Sequence, residues 1–410
     1  MEEQMNKSTH GIAILGFGVV GGGVASLVTK NSEELTKYTG KRVEIIRILD
    51  LRDFPDSPFA PLITHDFNDI LNDERVDTVI EVMGGSHPAY EFTMAALRSG
   101  KNVISSNKEV VANYGDEFAA LAKEKGVSYR FEAAVGGGIP VISPMMFAIR
   151  QNKIKEVRGI LNGTTNYILT KMFTYGDSFD SALKDAQERG YAERNPDADV
   201  LGTDASRKIT ILSALAFDKL VKVDRVPTEG ITSIRAEDVR AAESIGHKIK
   251  LLGRCIAREC GDPYIMVAPF LLPQDSPLAG VNGVYNAVEV VGDPLGNVMF
   301  YGQGAGAGAT ASAVVSDLIP IIAYNNYNPI VPGFNKTEYS PLGAFCDFTS
   351  RNYVALPYGN EDAVSEAFGE VTPIQGASEY AFITTAMTED DYSRAIEKLG
   401  VKPLSRIRFI

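Results

Sequence analysis

From residue 10 to residue 131, short apolar runs alternate with longer stretches whose apolar positions recur every three or four residues. Residues 10–15, 43–49, 77–83, 102–106 and 127–131 read as strands, and 20–30, 89–98 and 115–125 read as helices. Such alternation predicts a parallel, doubly wound sheet with ligands at the carboxyl ends of its strands. Farther on, 155–161, 281–291 and 297–300 read as strands, and 167–175, 310–324 and a segment starting at Asp204 as helices. Residues 325–340 are rich in Asn, Pro and Gly and read as a linker. After them the pattern predicts strands at 352–357, 380–386 and 404–410, with helices at 361–368 and 389–399.

Gly16, Phe17, Gly18, Val19, Val20 and Gly21 join the first strand to the first helix, which is the setting a G-x-G-x-x-G dinucleotide loop requires. Gly16 permits the tight turn, Gly18 lets backbone approach a pyrophosphate, and Gly21 lets the helix pack against the sheet. The helix N-terminus adds N–H groups and a favourable dipole. Asp50 ends the second strand, where an acid can hold the ribose hydroxyls of NAD; the insertion 31–42 lengthens its spacing from the glycines. Arg52 stands close enough to meet a 2′-phosphate instead, so NAD and NADP both stay open. Met83, Gly84, Gly85, Ser106 and Lys108 fall at other strand ends. Lys108 could polarise a substrate oxygen near a nicotinamide, or be a plain surface lysine. The run Gly136-Gly-Gly-Ile-Pro140 predicts a hinge and a helix starting at Pro140; its carbonyls could hold a cation, or it is simply a linker. In the loop 301–308, Gly304 or Gly306 approaches the cofactor, or the segment is a crossover.

The run from Tyr191 to Lys208 holds four acids in its first fourteen residues. Asp204 and Lys208 are four apart and share a helix face. Such a pair at the mouth of a core helix is a candidate for proton transfer, or an ordinary ion pair. The net charge of −12 argues against nucleic acid and anionic membrane partners. No apolar run approaches the roughly 20 residues that span a bilayer. Cys255, Cys260 and Cys346 form no disulfide or zinc pattern, which points to reducing cytoplasm. None lies near the signature run, as a thiol-based aldehyde oxidation would need.

Several stretches together resemble homoserine dehydrogenases: Gly16–Gly21, Ile80-Glu-Val-Met-Gly-Gly85, Asn107-Lys-Glu109, Glu132-Ala-Ala-Val-Gly-Gly-Gly-Ile-Pro140, Leu161-Asn-Gly-Thr-Thr-Asn-Tyr-Ile168, the run from Gly190 to Lys208, Tyr301-Gly-Gln-Gly-Ala-Gly306 and Thr310-Ala-Ser-Ala-Val-Val-Ser-Asp317. The resemblance spans about residues 10–325. It implies reversible hydride transfer between L-homoserine and L-aspartate 4-semialdehyde with NAD or NADP. It assigns Lys208 to proton transfer, Lys108 to the nicotinamide end, and Glu193, Asp199 and Asp204 to the substrate, with Gly163, Thr164 and Tyr191 beside them. It implies a sodium ion held at Glu132, Val135, Gly137 and Ile139, and a homodimer or higher homo-oligomer through the second domain's sheet. One departure is Asn195, where the family usually has aspartate before the proline.

The expected fold is α/β. A Rossmann doubly wound domain at 8–138, with 305–326 packing back on it, is followed by an α+β substrate and dimerisation domain at 139–304. A linker at 327–340 leads to a small α+β domain at 341–410 that resembles ACT domains. There Tyr358-Gly-Asn-Glu-Asp replaces the usual Pro-Gly turn, so packing or oligomerisation is expected of it rather than amino-acid sensing.

Overall fold

The computed structural model describes residues 8–324, 331–334, 339–376 and 379–410, so much of the expected linker lies outside the described residues. The first sheet consists of β1 (Thr9–Leu15), β2 (Arg42–Leu49), β3 (Ile63–Thr64), β4 (Thr78–Glu81), β5 (Asn102–Ser105) and β6 (Tyr129–Arg130). All are parallel, in the order β3-β2-β1-β4-β5-β6, which is the doubly wound arrangement with its switch point between β1 and β4. Ile12, Ile14, Ile48, Ile80 and Ile104 are fully buried, as strands covered on both faces require. The helices Val19–Lys30 and Ala307–Ala323 cover this core. Gly23 allows them to meet: a β-carbon there would lie 2.9 Å from the Ala307 carbonyl oxygen.

The second sheet is mixed. Its strands β7 (Lys153–Ile160), β8 (His247–Ile256), β9 (Tyr264–Pro273), β10 (Tyr285–Asp293) and β11 (Gly296–Gln303) continue into β13 (Asn352–Leu356), β14 (Val371–Pro373), β15 (Tyr380–Thr384) and β17 (Ser405–Phe409). A short pair, β12 (Thr349–Ser350) and β16 (Met387–Thr388), stands beside them. The order is β11-β10-β7-β8-β9-β17-β13-β15-β14. The last four strands, with the helices Glu361–Phe368 and Glu389–Leu399, run β-α-β-β-α-β. They are not a separate sheet: β17 pairs in parallel with β9, Arg408 opposite Phe270 and Phe409 opposite Leu271.

Contacts divide the chain into two units. The first holds residues up to 152, 210–223 and 302–339; the second holds 153–209, 224–301 and 340–410. Residues 139–152, expected in the second domain, thus fall in the first unit, and 340–410 shares a unit with 153–209 and 224–301.

Several local expectations differ from the structure: the helix expected at 167–175 starts at Gly163, and the strand expected at 281–291 runs Tyr285–Asp293. The helix expected at 115–125 starts earlier, at Lys108, because the Asn107 side chain accepts from the amides of Glu109 and Val110 and caps it. No helix starts at Pro140; the amides of 141–143 turn to the Glu132 carboxylate, and one π-helical turn follows at Pro144–Ala148. The strands β8 and β9 were not anticipated: most of their residues are buried, Lys250 and Arg254 included, so the polar positions of β8 do not mark an exposed face.

Candidate active site

In the first unit the glycines shape a backbone cradle. Gly16 has φ +95° and donates its amide to Leu49 O at 2.8 Å. Gly21 has no room for a side chain: a β-carbon would sit 1.9 Å from Gly16 O. At Gly18, the residue before the helix, a β-carbon would meet nothing within 4 Å, so this side of the loop is open to a ligand. Val19 and Val20 form the first helical turn, Val19 exposed despite being apolar. Phe17 packs edge-on against Phe54 and Phe59, and its amide donates to Asp50 Oδ2 at 2.8 Å.

Asp50 also receives two bonds from the Arg52 guanidinium, at 3.0 and 3.1 Å. That cation beside it holds the Asp50 carboxyl down at about 2. The acid expected to meet a ribose is therefore ionised and already ties the glycine loop to an exposed arginine.

At the end of β4 the buried Glu81 accepts from Met83 N at 2.9 Å and Ser105 Oγ at 2.6 Å. Burial pushes its carboxyl up to about 7. Ser106 donates its amide to Glu81 O, and Asn107 Nδ2 donates to Gly85 O at 2.7 Å. Glu81 thus orders the loop holding Met83, Gly84 and Gly85, a role the apolar pattern of its strand concealed. Lys108 is half-buried at the first position of its helix. An ammonium there opposes the helix dipole, so helix stability does not account for it.

Gly306 (φ +118°) precedes the helix Ala307–Ala323, and a β-carbon on Gly137 would lie 2.4 Å from Gly304 O. Here Glu132 is 2% exposed, and its carboxylate accepts three amides, from Val141 and Ile142 at 2.8 Å and Ser143 at 2.7 Å. Three donors around one carboxylate suit an anion with no cation beside it. Val135, Gly137 and Ile139 could hold a sodium ion only through backbone carbonyls, which these side-chain bonds leave untouched. Among the described residues no group of three His, Cys, Asp or Glu is placed to hold a metal ion.

In the second unit the signature acids and the lysine come together. Asn162 caps the helix Gly163–Tyr175, its Oδ1 accepting from Thr165 N at 2.9 Å. Its Nδ2 donates to Asp199 Oδ1 at 2.7 Å and to Asp204 Oδ2 at 2.9 Å. Lys208 Nζ donates to Asp204 Oδ2 and to Leu161 O, both at 2.7 Å. Asp204 and Lys208 are buried and Asp199 is half-buried. Four side chains thus form one connected cluster at the start of two helices, Gly163–Tyr175 and Thr203–Phe217. An asparagine before a helix has the local chemistry of a cap; the bridging of two acids by Asn162 is a second task that no local pattern marks.

Thr164 Oγ1 donates to Tyr191 O at 2.6 Å, and Tyr191 lies edge-on to Tyr167, their ring centres 4.9 Å apart. A β-carbon on Gly163 would lie 2.7 Å from Val284 O. Glu193 is exposed, outside the buried cluster. Asn195 accepts from Asp197 N at 3.2 Å, so it retains the turn chemistry of the aspartate it replaces. Behind the Gly163–Tyr175 helix, the buried Lys250 donates to Asn166 Oδ1 and Val281 O; burial lowers its ammonium to about 7. Cys255 is fully buried in β8, its thiol pushed well up by burial, which leaves it inert as a nucleophile.

A family model described as homoserine dehydrogenase matches residues 140–319, and one described as homoserine dehydrogenase, NAD binding domain, matches 16–132. A homoserine dehydrogenase of Synechocystis sp. is 38% identical over 414 residues, covering 95% of each chain. Among solved structures, a homoserine dehydrogenase from Thiobacillus denitrificans is similar with a TM-score of 0.91 and 34% identity, covering 98% of both chains. A hyperthermophilic archaeal homoserine dehydrogenase mutant in complex with NADPH is similar with a TM-score of 0.67 and 27% identity, covering 78% of this chain and 99% of that one. By its domains, its near full-length relatives and its fold, the chain belongs to the homoserine dehydrogenase family.

Proposed function

We propose that this chain interconverts L-homoserine and L-aspartate 4-semialdehyde by reversible hydride transfer with NAD or NADP, a step in threonine, methionine and isoleucine biosynthesis. The observation that carries the reading is the buried cluster in which Asn162 ties Asp199 to Asp204 and Asp204 holds Lys208 at 2.7 Å. When bound, the nicotinamide would supply the hydride acceptor for oxidation and, in its reduced form, the hydride donor for reduction. Lys208 holds the proton exchanged at the substrate oxygen. In reduction its ammonium gives that proton to the aldehyde oxygen as hydride reaches the carbon; in oxidation the neutral amine takes the hydroxyl proton. Asp204 favours the charged lysine and burial the neutral one.

Glu193, Asp199 and Asp204 supply carboxylates for the substrate ammonium, while Gly163, Thr164 and Tyr191 line its surroundings. Gly16 to Gly21, Asp50, Met83, Gly84, Gly85, Ser106, Lys108, Gly304 and Gly306 serve the nucleotide. The Asp50–Arg52 pair is compatible with either nucleotide: the acid suits a ribose, the exposed guanidinium a 2′-phosphate. No step is routed through a sodium ion, which the backbone carbonyls of Val135, Gly137 and Ile139 would hold.

A homodimer through β10 and β11 is supported by the exposed Tyr285, Met299 and Tyr301 on those strands. Unpaired cysteines favour a reducing cytoplasm, and no helix among the described residues is long and apolar enough to cross a membrane. Residues 341–410 act as an ACT-like packing module. The test is homoserine-dependent reduction of NAD and NADP, run side by side: saturable turnover with at least one is expected, and none with either overturns the reading.

A further inference from the structure

The C-terminal strand carries a guanidinium that the chemistry above does not use. Arg408 in β17 is 1% exposed. Nε and Nη2 reach Glu389 at 2.8 and 3.0 Å, and Nη1 and Nη2 reach the two oxygens of Glu229, each at 2.8 Å. Burying one guanidinium between two carboxylates is costly unless the geometry is well satisfied, and the bidentate fork fixes direction as well as distance. Glu229 is in turn anchored to β9 by its own amide, which donates to Val267 O at 2.8 Å.

The residues after Glu229 lie directly on the signature run. Ile231 N donates to Val200 O at 2.8 Å. A β-carbon on Gly230 would sit 2.1 Å from Val200 O and 2.6 Å from the Leu201 Cα. Gly202, at φ +86°, has no slack either: a β-carbon there would be 3.1 Å from Thr228 Cγ2. Residues 200–202 are the turn between Asp199 and Asp204, the two acids that Asn162 bridges. Segment 228–231 therefore cannot shift without moving that turn.

We propose that Glu229 and Arg408 are positioning residues that brace the substrate acids Asp199 and Asp204 from the C-terminal strand. The proposal rests on the assignment of those acids to the substrate. The C-terminal module is thereby part of the substrate site's support, although none of its residues enters the reaction.

Glu229 and Glu389 share the same arginine, but only Glu229 connects to the turn, which separates positioning from mere stability. The Glu229 side chain is 47% exposed, so Glu229→Gln should fold. The experiment measures kcat, both KM values and the thermal midpoint for Glu229→Gln, Glu389→Gln and Asp204→Asn. Glu229→Gln is expected to raise the KM for homoserine about tenfold while the nucleotide KM stays within about twofold. Glu389→Gln is expected to lower the thermal midpoint and leave the homoserine KM within about twofold. An unchanged homoserine KM in Glu229→Gln, or both KM values moving together in both variants, overturns the brace. Should Glu229→Gln not fold, the same split is read from Glu229→Asp, which keeps the charge and shortens the reach. Asp204→Asn reports on the underlying assignment: unchanged turnover and homoserine KM there remove the substrate reading itself, whereas an impaired Asp204→Asn with a normal Glu229→Gln removes only the brace.

Discussion

The nucleotide loop and the acid–lysine cluster are built from different materials. Around Gly16–Gly21 the chemistry is done by backbone, and side chains matter mainly by being absent: one added carbon at Gly21 would strike Gly16 O at 1.9 Å. Around Lys208 it is done by side chains, Asn162 and acids 37 and 42 residues beyond it, held by direct bonds to one another. A backbone site declares itself as a short motif. A side-chain site shows in sequence only where two members share a helix face, as Asp204 and Lys208 do. The first should fail when a side chain is added, the second when one is removed.

The largest effect follows from removing the lysine. Lys208→Ala is expected to lower kcat by about 100-fold or more, with nucleotide affinity within about twofold of the parent. Steady-state rates with homoserine and a separate nucleotide titration check the two halves. A normal kcat would end the proton-transfer role; a matching loss of nucleotide affinity would mean that the two regions are less separable than their construction implies.

The glycines give the complementary test. Gly21→Ala forces helix and strand apart and is expected to weaken nucleotide binding by about tenfold or more and to lower the thermal midpoint. Gly18→Ala meets open space, so the midpoint should hold while nucleotide affinity falls by a smaller factor, because the methyl enters only the ligand's volume. Equal loss of midpoint in both variants would show that Gly18 is structural and not a point of ligand approach.

The same contrast accounts for what could be read in advance. Five strands of the first sheet were legible because buried parallel strands, glycine turns and amphipathic helices are local patterns, whereas the two-residue β3 is too short to leave one. So were Glu361–Phe368 and Glu389–Leu399, whose limits match expectation. Of the cluster, Asp204 and Lys208 were visible as a pair. Asn162 looked like any helix cap, since its second task is set by acids 37 and 42 residues away. Lys108 does follow a strand, Asn102–Ser105, but the polar run 105–109 gave no sign that it also opens a helix, which the Asn107 cap starts there. Pro140 looked like a helix start, but a carboxylate nine to eleven residues upstream claims the amides that follow it. The pairing of Arg408 with Glu229 spans 179 residues and leaves no local trace.

The smallest expected effect is a pH dependence that again separates the regions. Asp204 has a cation at 2.7 Å. Glu81, on the nucleotide side, accepts hydrogen bonds from Met83 N and the Ser105 hydroxyl, and burial raises its carboxyl from 4.5 to about 7. A carboxyl raised on folding contributes stability that is fully present below its unfolded pKa and is lost as pH rises through its folded one. Glu81 should therefore make the protein progressively less stable between about pH 4.5 and somewhat above 7. Asp317, raised to about 7 by burial and the neighbouring Glu132, acts in the same direction. Glu81→Gln keeps an acceptor for Met83 N and removes the ionisation. Its thermal midpoint should gain on that of the parent as pH rises from 5 to 8, with Asp317 leaving part of the parent's slope in place. A difference between the two proteins that is constant over that range would mean Glu81 ionises normally, and the nucleotide side would then share the charge-compensated character of the lysine cluster.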